Sequence, residues 1–133
     1  MIYALDSNIV SYLLKDDDRV YFRYFDAVSH GNTCIIPLVV YYEVLRGLKA
    51  SGATTKRRAF EKICSDLGVV ELTVADMNTA ADIYAYCKQR GTPVDDSDIL
   101  IASQVVSHGY VLVTNNTKHF DVVDGISLVN WTE

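Results

Sequence analysis

Long apolar runs are absent from this chain, although half of its 133 residues are apolar. A helix that crosses a bilayer needs roughly 18 or more consecutive apolar residues, so the sequence predicts no transmembrane segment. No signal-peptide pattern precedes the first apolar run either. We therefore expect a cytoplasmic protein that has no membrane partner.

Cysteine is scarce as well. The three cysteines, Cys34, Cys64 and Cys87, are odd in number, widely spaced and set in apolar or helical sequence. This pattern is typical neither of a disulfide framework nor of a zinc site, and we expect buried thiols instead. Internal repeats, low-complexity tracts and linkers are also missing, so we predict a single domain that spans residues 1–133.

Positive charge is in deficit. Twelve Lys and Arg residues stand against 17 Asp and Glu residues, which gives a formal net charge of −5. This balance argues against broad, nonspecific nucleic-acid binding, but it is compatible with an enzyme whose acidic site works through bound cations. The densest basic cluster is Lys56, Arg57, Arg58 and Lys62, which is most simply a solvated helix face and alternatively a patch that contacts phosphates. The mixed run Lys15–Asp18 is predicted to be a solvated loop.

The chain does contain a regular alternation of short apolar runs and helical segments. The predicted strands are Ile2–Leu5, Thr33–Ile36, Val69–Leu72, Tyr110–Thr114 and Ile126–Val129. The predicted helices are Ile9–Leu14, Val20–Ser29, Leu38–Lys49, Thr54–Leu67, Thr73–Gln89 and a segment that opens near Asp95 or Asp96. Because strands that alternate with helices favour a parallel sheet, we predict an α/β fold, a three-layer α/β/α sandwich with a central, mostly parallel sheet.

Three acids crowd the start of the last long helix. Asp95 or Asp96 fits the N-cap, where a side-chain oxygen accepts a hydrogen bond from a free backbone N–H group. Asp98 then falls in the first turn, in line with Ile101 and Ala102, on the face that turns toward the core. An acid in that position needs a partner from elsewhere in the chain.

Two further acids occupy informative positions. Asp6 follows the first predicted strand, and ligands of open α/β sheets bind at the carboxyl ends of strands. An N-cap role for Asp6 or Ser7 is an equally good interpretation of that segment. Glu43 shares a helical line with Val39 and Gly47, so it is either one exposed position or an acid turned toward a shared site. Gly47 would let a neighbouring backbone approach the same face.

The three acids Asp6, Glu43 and Asp98 can converge, because right-handed crossovers bring strand ends to one edge of a sheet. Carboxylates that lie close together repel one another and must take up protons or a cation. Hard oxygen ligands without His or Cys select Mg²⁺ or Mn²⁺. Such an ion activates water and offsets charge on a phosphate, so this arrangement favours phosphodiester hydrolysis.

Four segments resemble, in order, the motifs of PIN-domain ribonucleases, and within that group the VapC-type toxins of bacterial toxin–antitoxin pairs. Residues 1–8 (MIYALDSN) are similar to the opening strand and its Asp-Thr-Asn motif. Residues 43–47 (EVLRG) resemble the second motif, and residues 91–102 (GTPVDDSDILIA) resemble the third. Residues 114–120 (TNNTKHF) and Trp131, which we expect to anchor the tail, match the terminal pattern.

The resemblance implies a metal-dependent endoribonuclease that acts as a toxin, with transfer or ribosomal RNA as its substrate. Asp6 and Asp98 are then the principal ligands of Mg²⁺, which Mn²⁺ can replace, and Glu43 and Asn116 complete the catalytic set. A homodimer is implied as well, together with a cognate antitoxin that blocks the site.

Departures from the family pattern are few. Ser7 replaces the usual threonine, and Asp95 and Asp96 are additional acids, which we interpret as helix caps or outer-sphere helpers. Asn116 stands where many PIN domains carry an aspartate. It has an alternative role, since Asn tolerates left-handed backbone geometry and can simply close the turn after a strand.

Rival functions fit the same residues less well. A phosphatase of the haloacid dehalogenase type also begins with an acid at a strand end, but it needs a second acid two positions later, where this chain has Asn8. A receiver-type phosphoacceptor needs an acidic pair after the first strand and a lysine after a late one, and Ser7 and Asn115 do not provide them. A catalytically silent PIN-like scaffold for protein binding is the remaining alternative, and the intact acids weigh against it.

Overall fold

Five short strands and seven helices follow one another along the chain, and the computed structural model covers residues 1–133. The strands are β1 (Ile2–Leu5), β2 (Thr33–Pro37), β3 (Val69–Val70), β4 (Val111–Val113) and β5 (Ser127–Val129). The helices are α1 (Ser7–Leu14), α2 (Asp18–Ser29), α3 (Leu38–Ser51), α4 (Thr54–Leu67), α5 (Val74–Gln89), α6 (Asp96–His108) and α7 (Thr117–Phe120). None of the helices is both long and apolar enough to cross a membrane.

All neighbouring strands pair in parallel, in the order β3-β2-β1-β4-β5. The predicted three-layer α/β/α sandwich with a central sheet is confirmed, and the sheet is parallel throughout. β1 lies in the middle, with Tyr3 opposite Cys34 of β2 on one side and Val111 of β4 on the other. Because parallel strands end at the same edge, the residues that follow β1 and β4 are neighbours in space.

The central strands are buried on both faces, as their apolar runs predict. Ala4 and Leu5 of β1 and Leu112 of β4 have no exposed surface. Trp131 is 3% exposed, and its ring packs against that of Tyr3 with 5.4 Å between centroids. The prediction that this tryptophan anchors the C-terminal tail is thereby confirmed.

The mixed run Lys15–Asp18 is more than a solvated loop. Asp17 is the N-cap of α2, and its carboxylate accepts hydrogen bonds from the backbone N–H groups of Arg19 and Val20. The same carboxylate pairs with the Arg19 guanidinium at 3.1 Å. Because the run supplies this cap, the helix begins at Asp18 and not at the predicted Val20.

Gly47 is not a point of close backbone approach, and that prediction is wrong. A Cβ atom built on Gly47 would meet no neighbouring atom within 4 Å. The residue is exposed and borders a groove between α1, α3 and α4. The turn of α3 that carries it therefore faces open space.

The three cysteines are free thiols. Cys34 and Cys87 are buried as predicted, whereas Cys64 is only partly buried. Burial raises the pKa of both Cys34 and Cys64 to about 11. Since a thiol with a raised pKa is a poor nucleophile and a poor metal ligand at neutral pH, these two residues serve packing.

Candidate active site

Asp6 lies at the carboxyl end of β1 and is 5% exposed. It is also the N-cap of α1, because its Oδ1 accepts a hydrogen bond of 2.8 Å from the backbone N–H of Ser7. The helix consequently begins at Ser7 and not at the predicted Ile9. The strand-end acid and the helix cap were alternatives in the sequence, and the structure combines them in one side chain.

Asn8 and Thr114 fix the second oxygen of this carboxylate. Asp6 Oδ2 accepts hydrogen bonds from Thr114 Oγ1 at 2.8 Å and from Asn8 Nδ2 at 3.2 Å. Asn8 Oδ1 in turn accepts one from the backbone N–H of Asn115 at 3.0 Å, so a single amide joins α1 to the loop after β4. Neither residue is predicted from the sequence to have this role. Both residues are polar and come shortly after a strand, Asn8 after β1 and Thr114 after β4. Their contact with Asp6 could be predicted only once β1 and β4 were known to be adjacent.

Glu43 turns from the middle of α3 toward α1. Its Oε1 accepts a hydrogen bond of 2.8 Å from the hydroxyl of Ser7. Because Ser7 directly follows Asp6, the structure favours the interpretation of Glu43 as an acid turned toward a shared site. The serine that replaces the family's threonine retains a hydroxyl, and that hydroxyl ties α3 to the end of β1.

Asp98 lies in the first turn of α6, with 23% of its side chain exposed. Burial raises the pKa of Asp98 above its ordinary value, and the negative charge of Asp6 adds to this rise. His119 opposes the rise, with Nδ1 3.8 Å from Asp98 Oδ2, while Asp95 and Glu43 add smaller contributions. The predicted acids therefore lie close enough together to act on one another's ionisation.

Asp95 occupies the N-cap position of α6, yet its side chain makes no capping hydrogen bond. Asp95 therefore stands at the predicted cap position, but it does not make the predicted capping hydrogen bond. Asp96 is the first residue of the helix, and both carboxylates are exposed to water. Negative charge at a helix N-terminus is stabilised by the helix dipole, which accounts for Asp96, while Asp95 also acts on Asp98 through its charge.

Asn116 is exposed and precedes α7, where its side chain makes no capping hydrogen bond. Its backbone angles, φ −101° and ψ 49°, lie outside the left-handed region, so the alternative of a left-handed turn residue is wrong. The backbone N–H of Asn116 donates to Thr114 Oγ1 at 3.0 Å. Because Thr114 also donates to Asp6, the residue is tied to the same network as the candidate site.

The donor set fits Mg²⁺ or Mn²⁺ better than zinc. No three His, Cys, Asp or Glu side chains lie close enough together to enclose an ion by themselves. Mg²⁺ keeps several of its waters and is usually bound through one or two carboxylates, so Asp6 and Asp98 are the residues that could hold it, with water as its other ligands. The negative charge around Asp98, which His119 opposes among the neighbouring groups, would attract the ion.

Comparison with known proteins finds relatives that match almost the whole chain. A family model described as PIN domain matches residues 3–126. Ribonuclease VapC2 of Rickettsia felis is 28% identical over 136 residues, with 98% of each chain covered. The tRNA(fMet)-specific endonuclease VapC of Shigella flexneri is 28% identical over 131 residues, again with 98% of each chain covered.

A solved structure shares the fold as well. The crystal structure of VapBC2 from Rickettsia felis, bound to a promoter DNA fragment, contains a chain that matches with a TM-score of 0.89 and 27% identity. The match covers 98% of this chain and 99% of that one. Since the family model alone spans most of the sequence and includes Asp6, Glu43 and Asp98, the chain belongs to the PIN domain family.

Proposed function

We propose that this chain is an endoribonuclease that hydrolyses phosphodiester bonds in RNA, requires Mg²⁺ and acts as the toxin of a toxin–antitoxin pair. The observation that carries the proposal is that Asp6, Glu43 and Asp98 belong to one neighbourhood although they lie on three separate elements. The hydroxyl of Ser7, the residue after Asp6, binds Glu43, and the charges of Asp6 and Glu43 act on Asp98. Burial and neighbouring negative charge raise the pKa of Asp98, so a bound cation would stabilise the ionised form of this group of acids. The ribonuclease names of the relatives support the same reaction.

Hydrogen bonds within the fold already orient two of the side chains that this chemistry requires, those of Asp6 and Glu43. Both oxygens of Asp6 are held by hydrogen bonds from Ser7, Asn8 and Thr114, so a cation would find this proposed ligand already oriented. Asp98, the second proposed ligand, is partly exposed and can be reached from solvent. Glu43, held by the Ser7 hydroxyl, is proposed to orient the attacking water. A bound Mg²⁺ lowers the pKa of water and offsets negative charge on the phosphate.

The test is cleavage of a mixed-sequence RNA by the purified chain in Mg²⁺, in Mn²⁺ and in EDTA. Asp98→Asn should reduce the rate by roughly a hundredfold or more, because it removes charge with almost no change in volume. Asp96→Asn is the matched control, since it makes the same change in the same helical turn at an exposed side chain. Cleavage by Asp98→Asn at nearly the parent rate, or full activity in EDTA, would contradict the proposal.

We propose transfer or ribosomal RNA as the substrate class, since one relative is named as an endonuclease specific for tRNA(fMet). Sequencing of RNA 5′ ends after induced expression should reveal new ends at one or a few positions in such RNAs. Expression of the Asp98→Asn variant gives the set of RNA 5′ ends that do not depend on cleavage by this chain. New ends spread evenly over messenger RNA would argue against a structured RNA substrate.

We further propose a cognate antitoxin that places an Arg or Lys among the acids. A cation inserted between Asp6 and Asp98 would form charge-assisted hydrogen bonds with carboxylates that otherwise repel each other. The structural relative named VapBC2 supports a partner of this kind. A structure of the chain with its co-purified partner tests the contact, and a partner that leaves these acids untouched would contradict it.

A homodimer is the last part of the proposal. Large apolar side chains remain exposed on α3 and α5, among them Tyr42, Met77 and Tyr84, and exposed apolar surface of this kind favours association. Sedimentation equilibrium should give twice the mass of the chain at micromolar concentration. A single monomeric species at every concentration would contradict the dimer without affecting the proposed chemistry.

A further inference from the structure

We propose that the groove between α1, α3 and α4 binds the sugar–phosphate backbone of RNA beside the cleavage position, with Lys15 and Lys56 as its phosphate contacts. The inference rests on the proposed function. The groove has a volume of about 240 Å³ and is bordered by Ser7 and Glu43, so it is continuous with the candidate active site. Lys15 and Lys56 line the same groove.

The groove follows α1 away from the site. Ser7, Ser11 and Lys15 lie four residues apart, so they share one face of the helix. At a rise of 1.5 Å per residue, Lys15 lies roughly 12 Å beyond Ser7 along the axis. An RNA strand that leaves the candidate site along this face of α1 therefore passes the ammonium group of Lys15.

Both lysines are free to bind an anion. On α4, Arg57 and Lys62 pair with carboxylates one turn later, at 3.4 and 3.3 Å. Neither Lys56 nor Lys15 takes part in an ion pair. The basic cluster of α4 is therefore not uniform. Arg57 and Lys62 are paired on the solvated face, whereas Lys56 lines the groove, where we propose a phosphate contact.

Gly47 keeps the groove open. It lies inside α3, where glycine destabilises a helix relative to alanine, and a Cβ atom there would meet nothing within 4 Å. Packing of the fold consequently gives no reason for glycine at this position. The residue lines the groove wall, so a long side chain there would project into the space that the RNA strand is proposed to occupy.

The charges favour RNA over a protein segment as the occupant. The chain carries a net charge of −5, so a polyanion approaches the acids only where local cations compensate for them. Lys15 and Lys56 provide that compensation beside Glu43. An antitoxin segment that carries a cation would be attracted by the acids and repelled by these two lysines.

The experiment measures the affinity for a short fluorescein-labelled RNA of mixed sequence by fluorescence anisotropy, in an Asp98→Asn background that leaves the probe uncut. Lys15→Ala and Lys56→Ala should each weaken binding several-fold. Each should also reduce the slope of log Kd against log salt by roughly 0.7, the value for one lost phosphate contact on a single strand. Arg58→Ala is the matched control, because it removes an exposed cation of α4 that does not line the groove.

A steric pair of variants tests the same groove without changing its charge. Gly47→Leu should weaken RNA binding, whereas Gly47→Ala should bind as the parent does. Parent-like affinity and salt slope in both lysine variants would overturn the inference and leave the groove to a protein segment, even where the parent cleaves RNA. Failure of the parent to cleave RNA in Mg²⁺ or Mn²⁺ would instead overturn the proposed function, and the groove assignment with it.

Discussion

Two carboxylates with little exposure lie at opposite ends of α6, and their surroundings differ. Asp76 of α5 is 1% exposed and accepts three hydrogen bonds, from the backbone N–H of Thr73 at 3.0 Å, the Ser107 hydroxyl at 2.8 Å and His108 Nε2 at 3.0 Å. Asp98, in the first turn of the helix, is shifted by burial and by nearby charges, and hydrogen bonds do not contribute. The fold supplies one acid with three hydrogen-bond donors and gives the other none.

The pKa values follow this difference. Burial acts to raise the pKa of both acids, but at Asp76 the hydrogen bonds from Thr73 and Ser107, together with His108, outweigh burial and lower the pKa below its ordinary value. At Asp98 burial and the charge of Asp6 act in the same direction, and the pKa is raised. The number of donors around these two acids, more than burial itself, therefore accounts for the opposite directions of their pKa shifts.

The largest expected effect is on cleavage, and it should separate the two ends of the helix. Asp6→Asn, like Asp98→Asn, should lower the rate of RNA cleavage by roughly a hundredfold or more, through loss of transition-state charge stabilisation. Asp76→Asn makes the same chemical change away from the site and should stay within a few-fold of the parent. The assay is run below the melting temperature of each variant. Equal losses at Asp76 and Asp6 would break the comparison.

Stability should respond in the reverse order. Asp76→Ala should lower the free energy of unfolding by about 1–3 kcal/mol, because donors of Thr73 and Ser107 lose their acceptor in a buried place. Asp96→Ala, at an exposed position, should change it by less than about 0.5 kcal/mol. Urea unfolding followed by circular dichroism provides both values. An Asp76→Ala variant as stable as the parent would show that water replaces the lost acceptor.

Removal of the charge at Asp98 should stabilise the metal-free fold. In EDTA, Asp98→Asn should melt a few degrees above the parent, since it removes repulsion from Asp6 and Glu43. In millimolar Mn²⁺ this advantage should shrink or reverse, because an ion that binds only the folded parent stabilises it by mass action. A variant that melts below the parent in EDTA would show that the acids do not strain each other.

The contribution of Asp76 should disappear in acid. Its pKa is lower in the fold than the ordinary value of 3.8, so its ionised form stabilises the protein fully above that ordinary value. The contribution is lost as the pH falls through the lowered pKa of the folded state. The stability difference between the parent and Asp76→Asn, from urea unfolding at several pH values, should therefore be constant near neutrality and shrink in strong acid. A difference that grows toward acid would have the wrong sign.

The smallest expected effect concerns Asn116. An amide oxygen is a poorer ligand for a hard divalent ion than a carboxylate, so the parent should hold one ion firmly and a second only weakly. Anomalous peaks from crystals soaked in Mn²⁺ provide the occupancies, and Asn116→Asp should raise that of the second peak. Two fully occupied peaks in the parent without RNA would show that Asn116 does not weaken the second position.

Local pattern was sufficient for the elements and for the list of acids. The strand predicted at Ile2–Leu5 is observed with those bounds, because an apolar run between polar residues is a property of neighbouring positions. Asp6, Glu43 and Asp98 were identified from the same local evidence, with the family resemblance added. Helix starts were less predictable, since α1 and α2 begin at residues set by the caps Asp6 and Asp17.

The sequence by itself determined the alternation of strands and helices and the identity of the acids, since both depend on residue type and short-range spacing. Only the tertiary structure decided which side chains meet. Thr114 donates to Asp6 across 108 positions, and Lys15, which the sequence assigned to a solvated loop, lines the groove beside Glu43. The pairing of β1 with β4 and the packing of α1 on α3 produce these contacts. They are long-range products of the whole fold, and no local periodicity encodes them.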